Sequence, residues 1–303
     1  MSNPLQLINL QELAAVTSGS PEIAIAIIDG PIDTTHPAFD GTNLQAAAQP
    51  GCQSVTSLAC YHGTFVAGIL GAQRSSEAPA ICPDCSFFLR PIFCEEIGSQ
   101  ACPEVTPQDL ADALQEALGA GVKIINLSLG LTAPRLLKTP ELQTLFAEAA
   151  NQGTLIVAAA GNLKQIGPIP LFNHPWVIPV AACDELGHLA EGSNIGLSVG
   201  RRGLLAPGKS ILSTTSGGGY SRMSGTSVAV PFVTGTLALL WSQFPHLSGA
   251  QLRRAILNSS GSRRSIKPPL LNAASSWRSL LQSHDSRLMG ANYPSSRRIP
   301  YHG

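Results

Sequence analysis

Ile23–Asp29, IAIAIID, is a short run of β-branched and small apolar residues closed by a carboxylate. A run of this length bounded by turn residues reads as a buried strand. Similar runs recur downstream at Ser86–Phe93 (SFFLRPIF), Lys123–Leu129 (KIINLSL), Thr154–Asn162 (TLIVAAAGN) and Trp176–Ala182 (WVIPVAA). Helix signals lie between them. Thr106-Pro107 opens a helix through about Leu118, and Thr139-Pro140 opens another that ends at Gly153. A helix is read over Thr64–Leu70, and a capping box at Ser248–Gln251 starts one that runs to about Leu257. Strands alternating with helices predict a three-layer α/β/α fold around a mostly parallel sheet. In such sheets the site lies beyond the carboxyl ends of the strands. Asp29, Ser128 and Asn162 sit at or near the ends of apolar runs and are therefore the first candidates.

The chain has 303 residues, 44% of them hydrophobic, which is enough for one large domain. Net charge is zero and charged residues make up 13%, so the expected partners exclude nucleic acid and membrane surfaces. The first residues, MSNPLQLINLQELAAVTSGSPE, lack a basic leader followed by an apolar core. Every long apolar stretch is broken by Ser, Thr, Gly or Pro. These features predict a cytoplasmic protein with no signal peptide and no membrane span. The expected organisation is an N-terminal segment over 1–21, one domain over 22–274, and a loose Ser/Arg-rich tail over 275–303. A monomer is expected.

Six of the seven cysteines fall between Cys52 and Cys102, and Cys183 stands apart. Cys82-Pro-Asp-Cys85 has half of a zinc-site spacing but no second half. Loop disulfides such as Cys52–Cys60 or Cys94–Cys102 are one reading, and free buried thiols are the other. No loop is dense enough in Asp and Glu to hold calcium, so the expectation is no metal and no cofactor.

Ser221–Trp241, SRMSGTSVAVPFVTGTLALLW, places Ser227 among glycines at the mouth of an apolar helix that carries Pro231. Taken singly, Asp29, His62, Asn162 and Ser227 each read as a turn or cap residue. Together they supply what acyl transfer requires: a nucleophile, a base, a carboxylate to orient the base, and an oxyanion donor. A helix mouth offers that oxyanion backbone N–H groups and a positive dipole end.

IIDGPIDTTHP, HGTFVAGILG, NLSLG, AAAGN and SGTSVAVPFVTGTLALLW occur in this order. They resemble the aspartate, histidine, substrate-cleft, oxyanion and serine boxes of the subtilisin-like serine proteases. The resemblance covers roughly Ile23–Leu257. It implies Asp29, His62 and Ser227 as the triad and Asn162 as oxyanion donor. It also implies Ser128, Leu129, Gly130, Ala160 and Gly161 as substrate-binding residues. Two positions depart from the pattern: Asp29 is followed by Gly30-Pro31, and Phe65 stands where a second histidine is usual. DGPIDTTHPAF, FLRPIF and GLLAPGKSILSTTSGGGYSRMSGTS resemble the proteases that mature cyanobactins, which are ribosomally made peptides closed into rings. That resemblance implies an endopeptidase that removes a leader from a precursor peptide. The alternatives are a macrocyclising transpeptidase of the same pathway, a general intracellular protease, and a non-catalytic peptide binder. Macrocyclising relatives carry a helical insertion between aspartate and histidine. The segment between Asp29 and His62 has the length of ordinary members, so hydrolysis is expected.

Overall fold

The structure is a computed structural model. It describes residues 3–46, 51–93, 95, 105–128, 139–167, 169, 174–259, 261 and 263–291. The apolar runs form β1 (Ala24–Asp29), β3 (Ser86–Pro91), β4 (Ile124–Leu127), β5 (Leu155–Ala159) and β6 (Ile178–Cys183). With β2 (Asn43–Ala46) and β7 (Leu204–Pro207) they make one seven-stranded sheet, ordered β2-β3-β1-β4-β5-β6-β7. Every neighbouring pair in it is parallel. The chain visits β3 on one side of β1 and then crosses to β4 on the other, so the strand order reverses at β1. A crevice therefore opens between the carboxyl ends of β1 and β4, where Asp29 and Ser128 emerge.

Successive strand residues point to opposite faces, and both faces are covered. Ile25, Ile27, Leu155 and Val157 pack in one core with Phe65 of α3 (Leu58–Gly71) and Phe232 of α7 (Thr226–Gln243). Ala26, Ile28, Ile156 and Ala158 pack in the other with Leu114 of α4 (Pro107–Gly119) and Phe146 of α5 (Pro140–Gln152). Each fully buried Ile or Leu contributes about 1.5–3 kcal/mol. The caps expected at Thr106, Thr139 and Ser248 are present, the last on α8 (Gly249–Asn258), and Gly153 closes α5 with a left-handed φ of 78°.

Three expectations need correction. α3 begins at Leu58 rather than near Thr64, because the Ser57 side chain accepts from the Cys60 N–H and starts the helix a turn and a half early. The strands that lead to the site are shorter than their apolar runs, with β4 ending at Leu127 and β5 at Ala159. The segment after Ser275 is not loose up to residue 291. It lies within α9 (Ala273–Ala291), whose Ala273 and Leu280 bury against the core with Trp277 packed beside them. That i, i+4, i+7 stripe is diluted by serines, which is why composition hides it. Residues 292–303 of the expected tail lie outside the described residues. The N-terminal segment is also built in. Its helices α1 (Pro4–Leu7) and α2 (Gln11–Val16) flank or carry Ile8, Leu10 and Leu13, all fully buried. The remaining elements are a 3₁₀ turn at Pro37–Phe39, α6 (Leu197–Arg202) and an antiparallel hairpin of β8 (Ile211–Thr215) and β9 (Gly219–Met223). None of the helices among the described residues is long and apolar enough to cross a membrane.

Candidate active site

β1 delivers Asp29 fully buried at its carboxyl end. The Gly30 N–H donates to Asp29 Oδ1 at 2.6 Å. A Cβ at residue 30 would stand 2.0 Å from the Ala59 carbonyl oxygen, so the early first turn of α3 leaves room only for glycine. Gly63 answers from the other side, since its Cβ would stand 2.4 Å from the Gly30 carbonyl oxygen. The departure from the usual Asp-Ser or Asp-Thr wording thus follows from how closely α3 approaches the Asp29 loop. Phe65, the other departure, is fully buried in the core.

α3 aims His62 at Asp29. Its Nδ1–H donates to Asp29 Oδ1 at 2.6 Å, and its Nε2 accepts from Ser227 Oγ at 2.9 Å. Ser227 is the second residue of α7, behind Gly225 as the cap, rather than the cap itself. Burial alone would lower the His62 pKa. The Asp29 charge and hydrogen bond more than offset it, and the net shift is upward from the ordinary 6.5.

Asn162 is locked against the same helix mouth. Its Oδ1 accepts from the Thr226 N–H at 2.9 Å, while Thr226 Oγ1 accepts from the Gly161 N–H at 3.0 Å. A Cβ on Gly225 would meet Asn162 Nδ2 at 3.2 Å and Ser227 Oγ at 3.4 Å, so amide and hydroxyl border one point. Gly161 has φ 96°, and its Cβ would lie 2.4 Å from Asn194 Nδ2, so the turn requires glycine. The N–H and C=O of Ala160 are both paired inside the protein, with Val180 and Asn194.

Ser128 has a role the sequence reading missed. In α7 the Ser227 carbonyl would ordinarily accept from the N–H of residue 231, but Pro231 has none. Ser128 Oγ donates to that carbonyl at 3.0 Å. Leaving such a buried carbonyl unpaired would cost about 1–3 kcal/mol. Asn126 Nδ2 donates to Ser128 Oγ at 2.9 Å, and Thr234 Oγ1 donates to Asn126 Oδ1 at 2.8 Å. A buried polar chain therefore ties β4 to α7 directly behind the nucleophile. The signal in the sequence was a proline four residues after the serine. Leu129 and Gly130 lie outside the described residues.

The loop ahead of α3 is pinned by a Cys52–Cys60 disulfide, and Glu95 accepts from the Gln53 and Ser54 N–H groups. Cys82, Cys85 and Cys183 are free and buried, whereas Cys94 and Cys102 lie outside the described residues. The β8–β9 hairpin, which feeds into the mouth of α7, is held by the aspartate loop. Asp33 accepts from the Gly217 N–H at 2.8 Å, and His36 Nε2 bonds the Gly219 carbonyl at 2.9 Å.

The subtilase family model matches residues 20–291. The chain belongs to the subtilase family. This subtilase is 35% identical over 243 residues to a thermophilic serine proteinase of Bacillus sp. (strain AK1), covering 80% of the chain and 57% of the relative. It thus spans little more than half the length of that curated relative. Among solved structures it is similar to a variant of the protease domain of PatA, with TM-score 0.78 and 32% identity over 88% of this chain and 98% of that one. It is also similar to the prenylagaramide maturation protease PagA, with TM-score 0.76 and 30% identity over 88% and 97% of the two chains.

Proposed function

We propose that this subtilase is a serine endopeptidase that cuts the leader from a ribosomally made precursor peptide. The observation that carries the catalytic reading is the unbroken hydrogen-bonded line Asp29–His62–Ser227, with Asn162 facing the same hydroxyl. His62 Nε2 takes the Ser227 proton as Oγ bonds to the scissile carbonyl carbon. The oxyanion that forms is held by Asn162 Nδ2 and the Ser227 N–H. His62 then passes its proton to the leaving amine, and water repeats the sequence on the acyl-enzyme. Asp29 holds the imidazole in the tautomer this needs.

The leader-cutting reading is supported by the likeness to PatA and to the maturation protease PagA. It is supported too by the segment between Asp29 and α3. Among its described residues the regular elements are one 3₁₀ turn and β2, with no helical cap over the site. An extended peptide laid beside Ser128–Gly130 would pair through its backbone, which suits a flexible leader better than a folded protein. Water reaches the acyl-enzyme, so the products are linear. Mass spectrometry of a precursor peptide incubated with the protein tests this. A leader plus a linear core is expected. A core lighter by one water would mean ring closure and overturn the hydrolytic reading. Efficient digestion of casein would point to a general protease.

Hydrolysis should rise with pH, because only neutral His62 accepts the proton. The midpoint of kcat/KM should lie above the ordinary histidine pKa of 6.5, since the folded value is raised. The stability term has the opposite sign. A raised folded pKa contributes stability that is full below the unfolded value and is lost as pH climbs through the folded one. Activity should therefore be gained over the window in which the Asp29–His62 ion pair stops stabilising the fold. A rate that falls across this window would exclude His62 as the base.

A further inference from the structure

Among the cysteines of the described residues, Cys60, Cys82, Cys85 and Cys183 are buried, whereas Cys52 is half-buried in the loop ahead of α3. Burial pushes the Cys183 thiol up to about 12, which keeps it protonated and inert. Cys52 is bonded to Cys60, eight positions on, which is the third residue of α3. His62 follows two residues later on the same helix. The disulfide thus joins a surface loop to the helix that carries the base.

The two sulfurs are placed unequally for exchange with a thiol. A thiolate that attacks the half-buried Cys52 Sγ expels Cys60 as a thiolate. Cys60 lies in the first turn of a helix of 14 residues, whose positive end favours an anion. Thr64 Oγ1 lies 3.9 Å from Cys60 Sγ and already accepts from the Asp33 N–H at 2.9 Å, so its own hydrogen is left for the sulfur. The reachable sulfur is therefore the target, and the sulfur at the helix mouth is the better leaving group.

The loop that the disulfide holds borders the leaving-group side of the site. The Val55 carbonyl accepts from Ser216 Oγ at 2.6 Å, at the turn of the β8–β9 hairpin. The Tyr61 hydroxyl bonds that of Ser221 on β9. Ser213 Oγ and Thr214 Oγ1 donate to the Phe65 and Thr64 carbonyls at 2.8 Å each, so the hairpin is packed on α3. His62 hands its proton to the leaving amine, and the segment after the cut therefore departs past this wall. Besides the disulfide, the Ser216 bond and the two bonds to Glu95 fasten the loop, all at exposed or half-buried positions where water competes. The Ser57 side chain caps α3 through the Cys60 N–H and needs no sulfur, so His62 keeps its place when the disulfide opens.

We propose that Cys52–Cys60 is a thiol-exchange site that sets how tightly the protein holds the leaving-group side of its peptide substrate. The proposal rests on the peptidase reading of the site. The reductant is a dithiol. Its first thiolate bonds to Cys52 Sγ as the disulfide breaks and Cys60 leaves. Its second sulfur attacks the mixed disulfide, expels Cys52 and closes the reductant's own disulfide. Two electrons pass to the protein, and the two protons of the dithiol end on the Cys52 and Cys60 sulfurs. The disulfide form holds the loop against the hairpin, and the dithiol form lets it move.

The test measures cleavage of a peptide with several residues beyond the cut, before and after treatment with dithiothreitol, while alkylation and mass spectrometry report each thiol. In the folded protein the dithiol should expose Cys52 and Cys60 to alkylation and leave Cys82, Cys85 and Cys183 unmodified. KM should rise about tenfold, the order of re-fixing one loop residue on binding. The kcat should stay the same, and reoxidation should restore KM. Cys52→Ser should show the higher KM with or without dithiothreitol. Cys94→Ser/Cys102→Ser should respond as the wild-type protein does. If Cys52→Ser does not fold, reversal in the wild-type protein decides alone. A pair that resists the dithiol in the folded protein, or a reduced pair with unchanged KM, would overturn the proposal. So would a fall in kcat at constant KM, which would trace the effect to the triad. Should neither form cut the peptide, the peptidase reading fails separately. Fluorescence anisotropy with Ser227→Ala protein then decides, by whether the oxidised form binds the peptide more tightly than the reduced form.

Discussion

Ser227→Ala should abolish turnover of a precursor peptide, lowering kcat by about 10⁶, the magnitude known for the serine of subtilisin. The size of the loss follows from the geometry. Ser227 Oγ is the atom placed 2.9 Å from His62 Nε2, and alanine leaves His62 with no proton to take. Folding should be spared. The Ser227 side chain makes no hydrogen bond among the described residues other than that to His62, and its carbonyl keeps the bond from Ser128 Oγ. A fluorophosphonate probe should label the wild-type protein at Ser227 and leave the variant unlabelled. Labelling at another serine, or turnover retained in a folded variant, would remove Ser227 from the nucleophile's role.

Asn162→Ala should lower kcat by about 10²–10³, as removal of the oxyanion-hole asparagine does in subtilisin, and should move KM little. The amide faces the region where charge develops, beside Ser227 Oγ, and makes its contribution in the transition state rather than in the bound ground state. Asn162 also accepts from the Thr226 N–H through Oδ1, so alanine removes a positioning bond at the mouth of α7 as well. Asn162→Asp separates the two effects. A carboxylate can still accept from Thr226, but it has no N–H to offer the oxyanion. It should therefore be at least as damaging to kcat as alanine. Near-wild-type kcat in Asn162→Asp would show that the backbone donors suffice and would sink the assignment.

The parallel sheet was legible because a strand buried on both faces must be almost wholly apolar, and β1, β4, β5 and β6 are apolar except at Asp29 and Asn126. The polar residue that interrupts or ends such a run stands out, which is how Asp29, Ser128 and Asn162 were found. The early start of α3 was not legible. Cys60-Tyr61-His62-Gly63 shows no apolar period, and the Ser57 cap becomes decisive only once the helix packs against Gly30. α9 escaped because its apolar stripe is thin and matters only where α8 and α2 receive it. The Thr234–Asn126–Ser128 chain was invisible because Asn126 and Thr234 lie 108 residues apart. Nothing local marks either as a partner of the other.

Chemistry and chain order, then, belong to the sequence: which side chains can act as nucleophile, base, carboxylate and donor, and the order in which they come. Their meeting belongs to packing. Asp29 and His62 come within 2.6 Å because two glycines let α3 touch the β1 loop. Ser227 stays in line because Pro231 frees its carbonyl for a serine at the end of β4. A periodic pattern reports which face of an element is buried. It carries no information about how far two elements slide or how closely they approach, because those distances are settled by steric fit between residues remote in the chain.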